Sequence, residues 1–387
     1  MIKGNYPIQK FQEIQTPFYY YDLELLRKTL DDLKSQIAGK DFHVHYAMKA
    51  NVNQSILKVI KEAGLGADCV SGGEVQAAIY AGISPSKVVF AGVGKADWEI
   101  NLGLENDIFC FNAESIPELE VINELAAAKG KIAKIALRIN PNVSAHTHHY
   151  ITTGLNENKF GINMQDLNKV IDLFPSLPNL KLIGIHFHIG SQITDMSSFQ
   201  DLCVRVNELQ EQFISKGITL EHINVGGGLG INYEHPNHFP IPDFGSYFRI
   251  FRDHLQLRPN QTLHFELGRA VVAQCGSLIS KVLYVKEGST KKFVILDAGF
   301  TDLIRPALYQ AYHRIENLSS ELPDEEYDVV GPICESSDTF VKEYYMNQTK
   351  RGDLIALRSA GAYGEIMASQ YNLRQLPKAY TSDELNP

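Results

Sequence analysis

Hydrophobic positions along the first two-thirds of the chain follow two alternating periods. Short, apolar, β-rich runs are separated by longer segments in which apolar residues recur every three or four positions, the spacing of one helix face. The predicted strands lie near residue 44 and at 67–70, 88–91, 108–111, 135–139, 182–188, 223–225 and 263–266. The clearest predicted helices lie at 23–38, 53–63, 73–81, 115–128 and 198–216.

Regular alternation of strand and helix is typical of an α/β fold with a parallel sheet. The eight predicted strands fit a (β/α)8 TIM barrel, for which a length of about 250 residues is typical. An open, doubly wound sheet is the alternative arrangement of the same units.

The pattern changes after about residue 269. Predicted strands at 271–275, 280–285, 292–296, 328–330 and 353–358 are joined by turns rather than helices, which is typical of an all-β domain. An aromatic run at 16–22 predicts one more strand, which we expect to pair with this C-terminal sheet. The predicted domains are therefore a barrel of residues 23–266 and a β-domain of residues 1–22 and 267–387.

Charge and cysteine content narrow the class of protein. The net charge of −9 argues against nucleic acid as the main partner, because phosphate binding needs a basic surface. No apolar run approaches the roughly 20 residues of a membrane span, and the first residues do not resemble a signal peptide. The five cysteines are odd in number and lack C-x-x-C spacing, so we expect no disulfide framework, no zinc site and a cytoplasmic location.

Lys49 stands where the first barrel strand ends, within the sequence YAMKAN of residues 46–51. The reactive face of a TIM barrel lies at the C-terminal ends of its strands. Lysines in pockets commonly act as Schiff-base nucleophiles, because loss of solvent lowers their pKa. A solvated lysine at a strand edge is the ordinary alternative.

A run of glycines follows the seventh predicted strand, and Arg269 follows the eighth. Backbone without Cβ atoms can approach an anion closely, and barrel phosphate sites commonly form after strands seven and eight. A plain tight turn is the alternative. The spacing is not the G-x-G-x-x-G of a dinucleotide fold, because Ile231 occupies the last glycine position.

Glu266 is a carboxylate near the end of the eighth strand. A carboxylate beside a pyridine nitrogen keeps that nitrogen protonated, and the protonated ring is the electron sink that pyridoxal phosphate chemistry needs. Pairing of Glu266 with Arg269 or another base is the alternative.

His186 and His188 are two positions apart and share one face of the sixth strand. One interpretation is the H-x-H metal pair of amidohydrolase barrels, which needs further ligands at later strand ends. Glycines and Glu266 stand there instead, so we expect no metal and expect His188 to stack on a flat ring. Lysine, phosphate loop, arginine, pyridine partner and stacking group together specify pyridoxal 5'-phosphate.

These motifs resemble those of the fold type III, alanine-racemase-like family of pyridoxal phosphate enzymes, from about residue 16 to residue 371. Within it they resemble the diaminopimelate decarboxylases. YAMKAN, HIGSQ at 188–192 and GGGLG at 226–230 mark the decarboxylase branch in general. DAG at 297–299, DLIRPALY at 302–309 and GPICESSD at 331–338 are more specific.

The resemblance implies decarboxylation of meso-2,6-diaminopimelate to L-lysine and carbon dioxide, the last step of lysine biosynthesis. It implies that Lys49 forms a Schiff base with the cofactor, that His188 stacks on its ring and that Glu266 holds the pyridine nitrogen. Around the phosphate end it places Ser191, Gly227, Gly228, Gly268 and Arg269, with Tyr363 also in contact with the cofactor.

The same resemblance assigns the substrate contacts. Arg305 and Tyr309 would take a substrate carboxylate, the arginine by a bidentate fork. Glu335 would pair with an ammonium at either end of the substrate, and Arg269 and Tyr363 would also lie near the substrate.

The proton donor and the assembly follow from the resemblance as well. Cys334 would protonate the quinonoid carbanion after carbon dioxide leaves. Its segment would reach across a homodimer to complete a shared active site.

One position departs from the family, and several alternatives stay open. Leu267 replaces the proline of the family's Glu-Pro-Gly-Arg sequence, for which we expect a local effect on the loop. Residues 146–150, rich in histidine, are expected in an exposed loop. The functional alternatives are a carboxynorspermidine, ornithine or arginine decarboxylase of the same fold, a non-enzymatic decarboxylase-like binding protein, and the metallohydrolase barrel.

Overall fold

A computed structural model of the chain describes residues 6–143 and 159–385, so the predicted loop at 146–150 lies outside the described residues. In chain order, the strands are β1 (Phe18–Tyr21), β2 (Phe42–Ala47), β3 (Gly66–Cys69), β4 (Val88–Phe90), β5 (Cys110–Ala113), β6 (Ala133–Asn140), β7 (Ile162–Asn163), β8 (Leu180–His186), β9 (His222–Asn224), β10 (Thr262–Leu267), β11 (Gly276–Glu287), β12 (Lys292–Leu296), β13 (Ile315–Asn317), β14 (Asp324–Val330), β15 (Thr339–Asn347), β16 (Leu354–Leu357) and β17 (Lys378–Thr381). The α-helices are α1 (Ile8–Phe11), α2 (Leu23–Ile37), α3 (Gln54–Glu62), α4 (Gly72–Tyr80), α5 (Asp97–Glu105), α6 (Ile116–Ala128), α7 (Leu167–Leu173), α8 (Ser197–Ser215), α9 (Phe244–His254), α10 (Arg269–Val272), α11 (Arg305–Tyr309) and α12 (Ser382–Leu385).

Parallel strands in the first two-thirds of the chain close into a barrel. The strands pair in the order β5, β4, β3, β2, β10, β9, β8 and β6, and a further pairing of β5 with β6 closes the ring. All of these pairings are parallel. The TIM-barrel prediction is confirmed, and the open-sheet alternative is wrong.

The helices around the barrel begin where short polar residues satisfy their first backbone N–H groups. The Ser71 hydroxyl accepts from the Glu74 N–H at 3.2 Å at the start of α4, and the Ser115 hydroxyl accepts from the Glu118 N–H at 3.3 Å at the start of α6. On α8, the buried face carries Phe199, Leu202, Val206, Leu209 and Phe213. This spacing is the amphipathic period that the sequence showed.

The last third of the chain forms an antiparallel-rich sheet in the order β13, β16, β11, β12, β14 and β15. The early strand β1 pairs antiparallel with β11, Tyr19 lying opposite Leu278, and parallel with β17. The predicted C-terminal β-domain that takes in the N-terminal strand is therefore confirmed.

The predicted strand at 271–275 is wrong. Its first half belongs to the short helix α10, where the Ala273 N–H donates to the Arg269 carbonyl at 3.0 Å. Strand β11 begins only at Gly276, where a Cβ atom would lie 2.3 Å from the Gly361 Cα atom. An apolar run of this length fits a helical turn as well as a strand, and tertiary packing decided between them.

The chain divides into two compact units. The barrel unit consists of Leu30–Gly230 and Asp243–Gly268, and the β-unit consists of Met1–Thr29, Ile231–Pro242 and Arg269–Pro387. The predicted domain bounds, 23–266 and 1–22 with 267–387, stay a prediction. No helix in the described part of the chain has the length and hydropathy to span a membrane.

Candidate active site

The strand ends of the barrel unit carry seven of the predicted site residues: Lys49, His188, Ser191, Gly227, Gly228, Glu266 and Gly268. Lys49 lies in the 3-10 turn Met48–Ala50, directly after β2, and is half-buried. Since all the barrel strands are parallel, their carboxyl ends meet at one end of the barrel. The barrel therefore brings these seven residues to one end.

Glu266 lies inside the barrel, where three side chains from three other strands donate to it. Its Oε1 accepts from Asn224 Nδ2 at 2.8 Å and from Asn112 Nδ2 at 3.2 Å, and its Oε2 accepts from His186 Nε2 at 2.9 Å. Glu266 is only 6% exposed. The alternative of a plain charge pair does not describe this carboxylate, because amide and imidazole groups hold it.

Two opposing effects set the protonation of Glu266. Burial raises its pKa, the positive charges of Lys49 and Arg138 and the amide hydrogen bonds from Asn224 and Asn112 lower it, and the net pKa is about 7. The carboxyl group is therefore able to exchange a proton near neutral pH. Such a pKa is typical of a group that shares a proton with a ligand.

His186 is neutral because burial, followed by the charge of Arg138, lowers its pKa to about 3. Its Nδ1 has no hydrogen-bond partner among the described residues. A neutral imidazole carries one N–H, and the bond to Glu266 assigns that hydrogen to Nε2. The H-x-H metal interpretation finds no support, since no group of three or more His, Cys, Asp or Glu side chains in the described ranges could hold a metal ion.

Asp68, on β3, is a second buried carboxylate within the electrostatic reach of Lys49. Burial and the charge of Glu266 raise its pKa, Lys49 lowers it, and the net result is a pKa of about 7. Its Oδ1 accepts no hydrogen bond from the described residues. Lys49 thus lies in the field of two carboxylates that exchange protons near neutral pH.

The glycine run passes close to the backbone of the neighbouring strands. A Cβ atom on Gly226 would lie 2.2 Å from the Phe187 carbonyl oxygen, and one on Gly227 would lie 1.9 Å from the Glu266 carbonyl oxygen. Gly226 and Gly228 adopt positive φ angles of 70° and 108°. These close approaches and backbone angles require glycine.

His188 belongs to the same strand-end group. The Gly227 N–H points toward His188 Nδ1 at 3.4 Å. Burial, followed by the charges of Lys49 and Arg138, holds the pKa of His188 well below its usual range. The ring is therefore neutral, which suits a stacking partner for a flat aromatic group.

The β-unit contains the remaining predicted residues, and some of them form a cluster around Tyr233. Arg269 Nη1 donates to the Tyr233 hydroxyl at 2.6 Å, and the Arg269 guanidinium lies 5.0 Å from the centre of the Tyr363 ring. The Arg305 guanidinium lies 5.3 Å from the centre of the Tyr233 ring. Burial raises the pKa of Tyr233, but the charges of Arg269 and Arg305 outweigh burial and hold it below the usual value.

Arg305 is nearly fully buried, and His313 orients it. His313 Nε2 lies 2.9 Å from Arg305 Nη1, and His313 Nδ1 lies 2.8 Å from the Arg358 carbonyl oxygen. The carbonyl accepts from Nδ1–H, so Nε2 is left to accept from the guanidinium. Burial, followed by the charge of Arg305, lowers the pKa of His313 to about 3, which keeps it a neutral acceptor. The half-buried Tyr309 ends the same short helix, α11.

Cys334 and Glu335 lie on an exposed loop of the β-unit between β14 and β15. Tyr371 donates its hydroxyl hydrogen to Glu335 Oε1 at 2.8 Å, and the Cys334 N–H donates to Asn372 Oδ1 at 3.4 Å. Both of these hydrogen bonds are with the segment that follows Tyr363.

The structure adds site residues that the sequence reasoning missed: Asp68, Asn112, Arg138, His186 as a Glu266 partner, Asn224, Tyr233 and His313. Asn112 carried a signal, because it is a polar residue in an otherwise apolar parallel strand, and Asn224 carried one as a polar residue at a strand end. Tyr233 and His313 carried none, because their roles depend on which distant segments pack together.

A strand-end lysine, a buried carboxylate held by neutral donors and a glycine loop suit a pyridine cofactor with an anionic tail. The family model described as "Pyridoxal-dependent decarboxylase, pyridoxal binding domain" matches residues 23–273. A diaminopimelate decarboxylase of Bacteroides thetaiotaomicron is 68% identical over 385 residues, covering 99% of this chain and 100% of that protein. The chain belongs to the diaminopimelate decarboxylase family.

Crystal structures of family members have the same fold. The Helicobacter pylori diaminopimelate decarboxylase complexed with L-lysine has a TM-score of 0.90 at 41% identity, over 96% of this chain and 93% of that chain. The M. jannaschii enzyme in co-complex with L-lysine has a TM-score of 0.90 at 35% identity, over 99% and 91%. Family membership makes this chain a decarboxylase whose cofactor is pyridoxal 5'-phosphate.

The barrel residues fit this cofactor. A carboxylate offers about four acceptor positions, and the three donors from the barrel occupy three of them. The remaining position on Oε2 suits a ring N–H. The glycine loop adds backbone that can approach a phosphate closely, at the end of the barrel where TIM barrels frequently bind phosphate.

Proposed function

We propose that the protein decarboxylates meso-2,6-diaminopimelate to L-lysine and carbon dioxide, the last step of lysine biosynthesis. The observation that carries this proposal is the 68% identity over 385 residues to the Bacteroides thetaiotaomicron diaminopimelate decarboxylase. The two related crystal structures hold L-lysine, which is the product that this reaction would release.

Lys49 would hold the cofactor covalently through Nζ and would release it to the substrate amine. Asp68 and Glu266 lie within electrostatic reach of Lys49, and with pKa values of about 7 they would be able to take the proton that Nζ must lose to act as a nucleophile. His188 would stack on the ring as a neutral imidazole. When bound, the cofactor supplies a ring that accepts the electron pair left by the departing carboxylate.

Glu266 would hold the proton of the ring nitrogen. Its Oε2 would accept that hydrogen bond while Asn112, Asn224 and His186 keep the carboxylate oriented. Ser191, Gly227, Gly228, Gly268 and Arg269 would surround the phosphate, and Tyr363 would also touch the cofactor. Tyr363 has a positive φ angle of 58°, a sparsely populated conformation that clusters at functional sites.

Arg305 and Tyr309 would bind the second carboxylate of the substrate. The buried Arg305, oriented by His313 and Tyr233, supports an anionic substrate end, whereas ornithine and arginine would bring a cation there. Glu335 would pair with a substrate ammonium, and Arg269 and Tyr363 would also contact the substrate. This charge pattern favours diaminopimelate over simple diamine precursors.

Cys334 would donate the proton that replaces the lost carboxylate, through its Sγ–H. Its exposed position on the β14–β15 loop supports delivery to a site completed by a second subunit. The apolar side chains of Ile366, Tyr371 and Leu373 are also exposed, Leu373 by 97%, and exposed apolar patches mark association surfaces. We therefore propose a homodimer with shared active sites, in a reducing cytoplasm that keeps the five free cysteines reduced.

Substrate choice is tested by supplying the pyridoxal phosphate-loaded protein with meso-diaminopimelate, ornithine, arginine and carboxynorspermidine in separate assays. Carbon dioxide and L-lysine should appear from diaminopimelate at the highest kcat/KM. An Arg305→Gln variant should lose kcat/KM for diaminopimelate while still binding the cofactor. Faster turnover of another substrate would overturn the assignment, and no turnover of any would support a binding protein.

Site sharing is tested by mixing two inactive variants, Lys49→Ala and Cys334→Ala, under conditions that exchange subunits. A hybrid dimer should regain activity, because one of its sites combines an intact Lys49 with an intact Cys334. Activity that stays at the level of the separate variants would contradict the shared site. An unchanged rate in the Cys334→Ala protein alone would remove the thiol from the acid role.

A further inference from the structure

Asn224 is fully buried at the end of β9, and its side-chain amide makes two hydrogen bonds in different directions. Its Nδ2 donates to Glu266 Oε1 at 2.8 Å. Its Oδ1 accepts from the Gly226 N–H at 2.9 Å. The partners fix the orientation of the amide, since a carboxylate only accepts and a backbone N–H only donates.

We propose that Asn224 is a positioning residue that ties the glycine loop to the Glu266 carboxylate, so that one side chain sets the distance between the phosphate end and the ring-nitrogen end of the cofactor site. This inference rests on the proposed function, which assigns Glu266 to the ring nitrogen and Gly227 and Gly228 to the phosphate.

The backbone shows the same coupling. The Glu266 N–H donates to the Gly226 carbonyl at 2.8 Å, and Gly227 approaches the Glu266 carbonyl so closely that no side chain fits. Glu266 and Gly226 are therefore joined by one backbone bond and by one side-chain bridge. A rigid ligand gains more affinity from two such ends when their separation is held before binding, because less ordering has to accompany binding.

Asn112 provides a matched comparison within the same site. It is also fully buried, and its Nδ2 donates to the same Glu266 oxygen at 3.2 Å. Its Oδ1 accepts from Cys110 Sγ at 3.6 Å rather than from the glycine loop. Removing Asn112 therefore weakens the hold on Glu266 without touching the loop.

The experiment compares apoprotein binding of pyridoxal phosphate with that of pyridoxal, which lacks the phosphate, for wild type, Asn112→Ala, Asn224→Ala and Asn224→Asp. The dissociation constant for pyridoxal divided by that for pyridoxal phosphate measures how much the phosphate contributes to binding. Asn112→Ala should weaken both ligands by a similar factor and leave the ratio unchanged. Asn224→Ala should lower the ratio by roughly tenfold, because it also releases the loop.

Asn224→Asp separates the two bonds of the amide. Its Oδ1 still accepts from Gly226, but an ionised aspartate cannot donate to Glu266, so the bridge is broken while the bond to the loop remains. The ratio should therefore fall as in Asn224→Ala, whereas Gly226 amide exchange should stay at the wild-type rate. The new carboxylate should also raise the pKa of Glu266 and shift the pH dependence of the bound-cofactor absorbance. Amide hydrogen exchange at Gly226 in the apoprotein should accelerate in Asn224→Ala and not in Asn112→Ala. This second measurement needs no ligand.

The outcomes distinguish this inference from the function on which it rests. A wild-type protein that binds pyridoxal and pyridoxal phosphate equally would remove the proposed phosphate site itself. A wild type that prefers pyridoxal phosphate, together with an unchanged ratio and unchanged Gly226 exchange in Asn224→Ala, would overturn the role of Asn224 alone.

Discussion

His186 Nε2 donates to Glu266 Oε2 across 2.9 Å, and both side chains are buried inside the barrel. Since burial lowers the pKa of His186 to about 3, the imidazole stays neutral and donates from the same nitrogen at neutral pH. Its hydrogen bond stabilises the ionised form of Glu266. It also gives the two oxygens different partners, since Oε2 accepts from His186 and Oε1 accepts from two asparagine amides. The imidazole therefore opposes the effect of burial on the carboxyl pKa.

Replacing His186 with Leu should raise the pKa of Glu266 above its value of about 7, because the ionised carboxylate loses a donor while burial persists. The carboxyl C=O stretch, isolated as an infrared difference against Glu266→Gln, follows this protonation directly in the apoprotein. His254→Leu, at an exposed helix end, is the control and should leave the midpoint in place. A midpoint that falls or stays unchanged in His186→Leu would contradict the account.

Lys95 forms a buried ion pair that we expect to stabilise the barrel strongly. Its Nζ lies 2.5 Å from Glu118 Oε1, and the two side chains are 1% and 9% exposed. Lys95→Met leaves a buried carboxylate without its partner and should cost about 3–5 kcal/mol of unfolding free energy in urea. Lys28→Met, in a pair whose side chains are 61% and 64% exposed, should hardly move the urea midpoint.

The pair of Lys95 and Glu118 also allows a test of whether the charge or the hydrogen bonds of Lys95 stabilise the barrel. The double variant Lys95→Met, Glu118→Leu removes both charges and should recover much of the stability lost in Lys95→Met. A double variant no more stable than the single one would show that the hydrogen bonds from Lys95 to the Gly92 and Asn112 carbonyls, at 2.8 and 2.9 Å, matter more than the charge.

Gly227 should not tolerate a side chain. An alanine Cβ atom would lie 1.9 Å from the Glu266 carbonyl oxygen, so the loop or the end of β10 must move. Gly227→Ala should lose about 1–3 kcal/mol of stability and bind pyridoxal phosphate at least tenfold more weakly. Gly94→Ala is the control, because nothing lies within 4 Å of its Cβ position. Equal behaviour of the two variants in thermal unfolding and cofactor titration would refute this prediction.

His222 should make the protein sensitive to acid. Burial, followed by the neighbouring His45, His186 and His43, lowers its pKa to about 3, and neither ring nitrogen has a partner among the described residues. In the unfolded chain its pKa returns to about 6.5. Between these values only the unfolded state binds the proton, so stability is complete above pH 6.5 and falls as the pH drops toward 3.

His222→Phe removes that proton-linked loss. Relative to wild type, its folding equilibrium constant should gain roughly tenfold for each pH unit below 6.5. The measurement is urea unfolding at several pH values from 7 to 4. The slope of the unfolding free energy against pH tests the prediction. His254→Phe, at an exposed position, should follow the wild-type slope. Parallel loss of stability in wild type and His222→Phe would contradict the prediction.

The barrel was predictable because buried parallel strands leave continuous apolar runs, each followed by an amphipathic helix. The strands of the β-unit were harder to predict from the sequence. Strand β15 alternates Tyr344 and Met346, which are buried, with Tyr345, which is 61% exposed, and a positive φ at Glu343 interrupts it. Such a half-exposed strand with an irregular backbone lacks a clean period in sequence.

The candidate site shows the same division. Lys49, Glu266 and the glycine run stand at strand ends, so a correct strand assignment brings them to one end of the barrel. Tyr233 contacts Arg269 and Arg305 only because residues 231–242 pack within the β-unit, and nothing local in the sequence foretells that packing. Asn224, by contrast, is a polar residue two positions before the glycine run, a signal that sequence reasoning could have used.

The most direct test of the account is the covalent position of the cofactor. The protein is loaded with pyridoxal phosphate, reduced with borohydride and digested, and the peptides are mapped by mass. For wild type, the account predicts the reduced cofactor on Nζ of Lys49 alone. For Lys49→Arg, it predicts no labelled peptide and no production of lysine. A label on another lysine, or wild-type decarboxylation by Lys49→Arg, would contradict it.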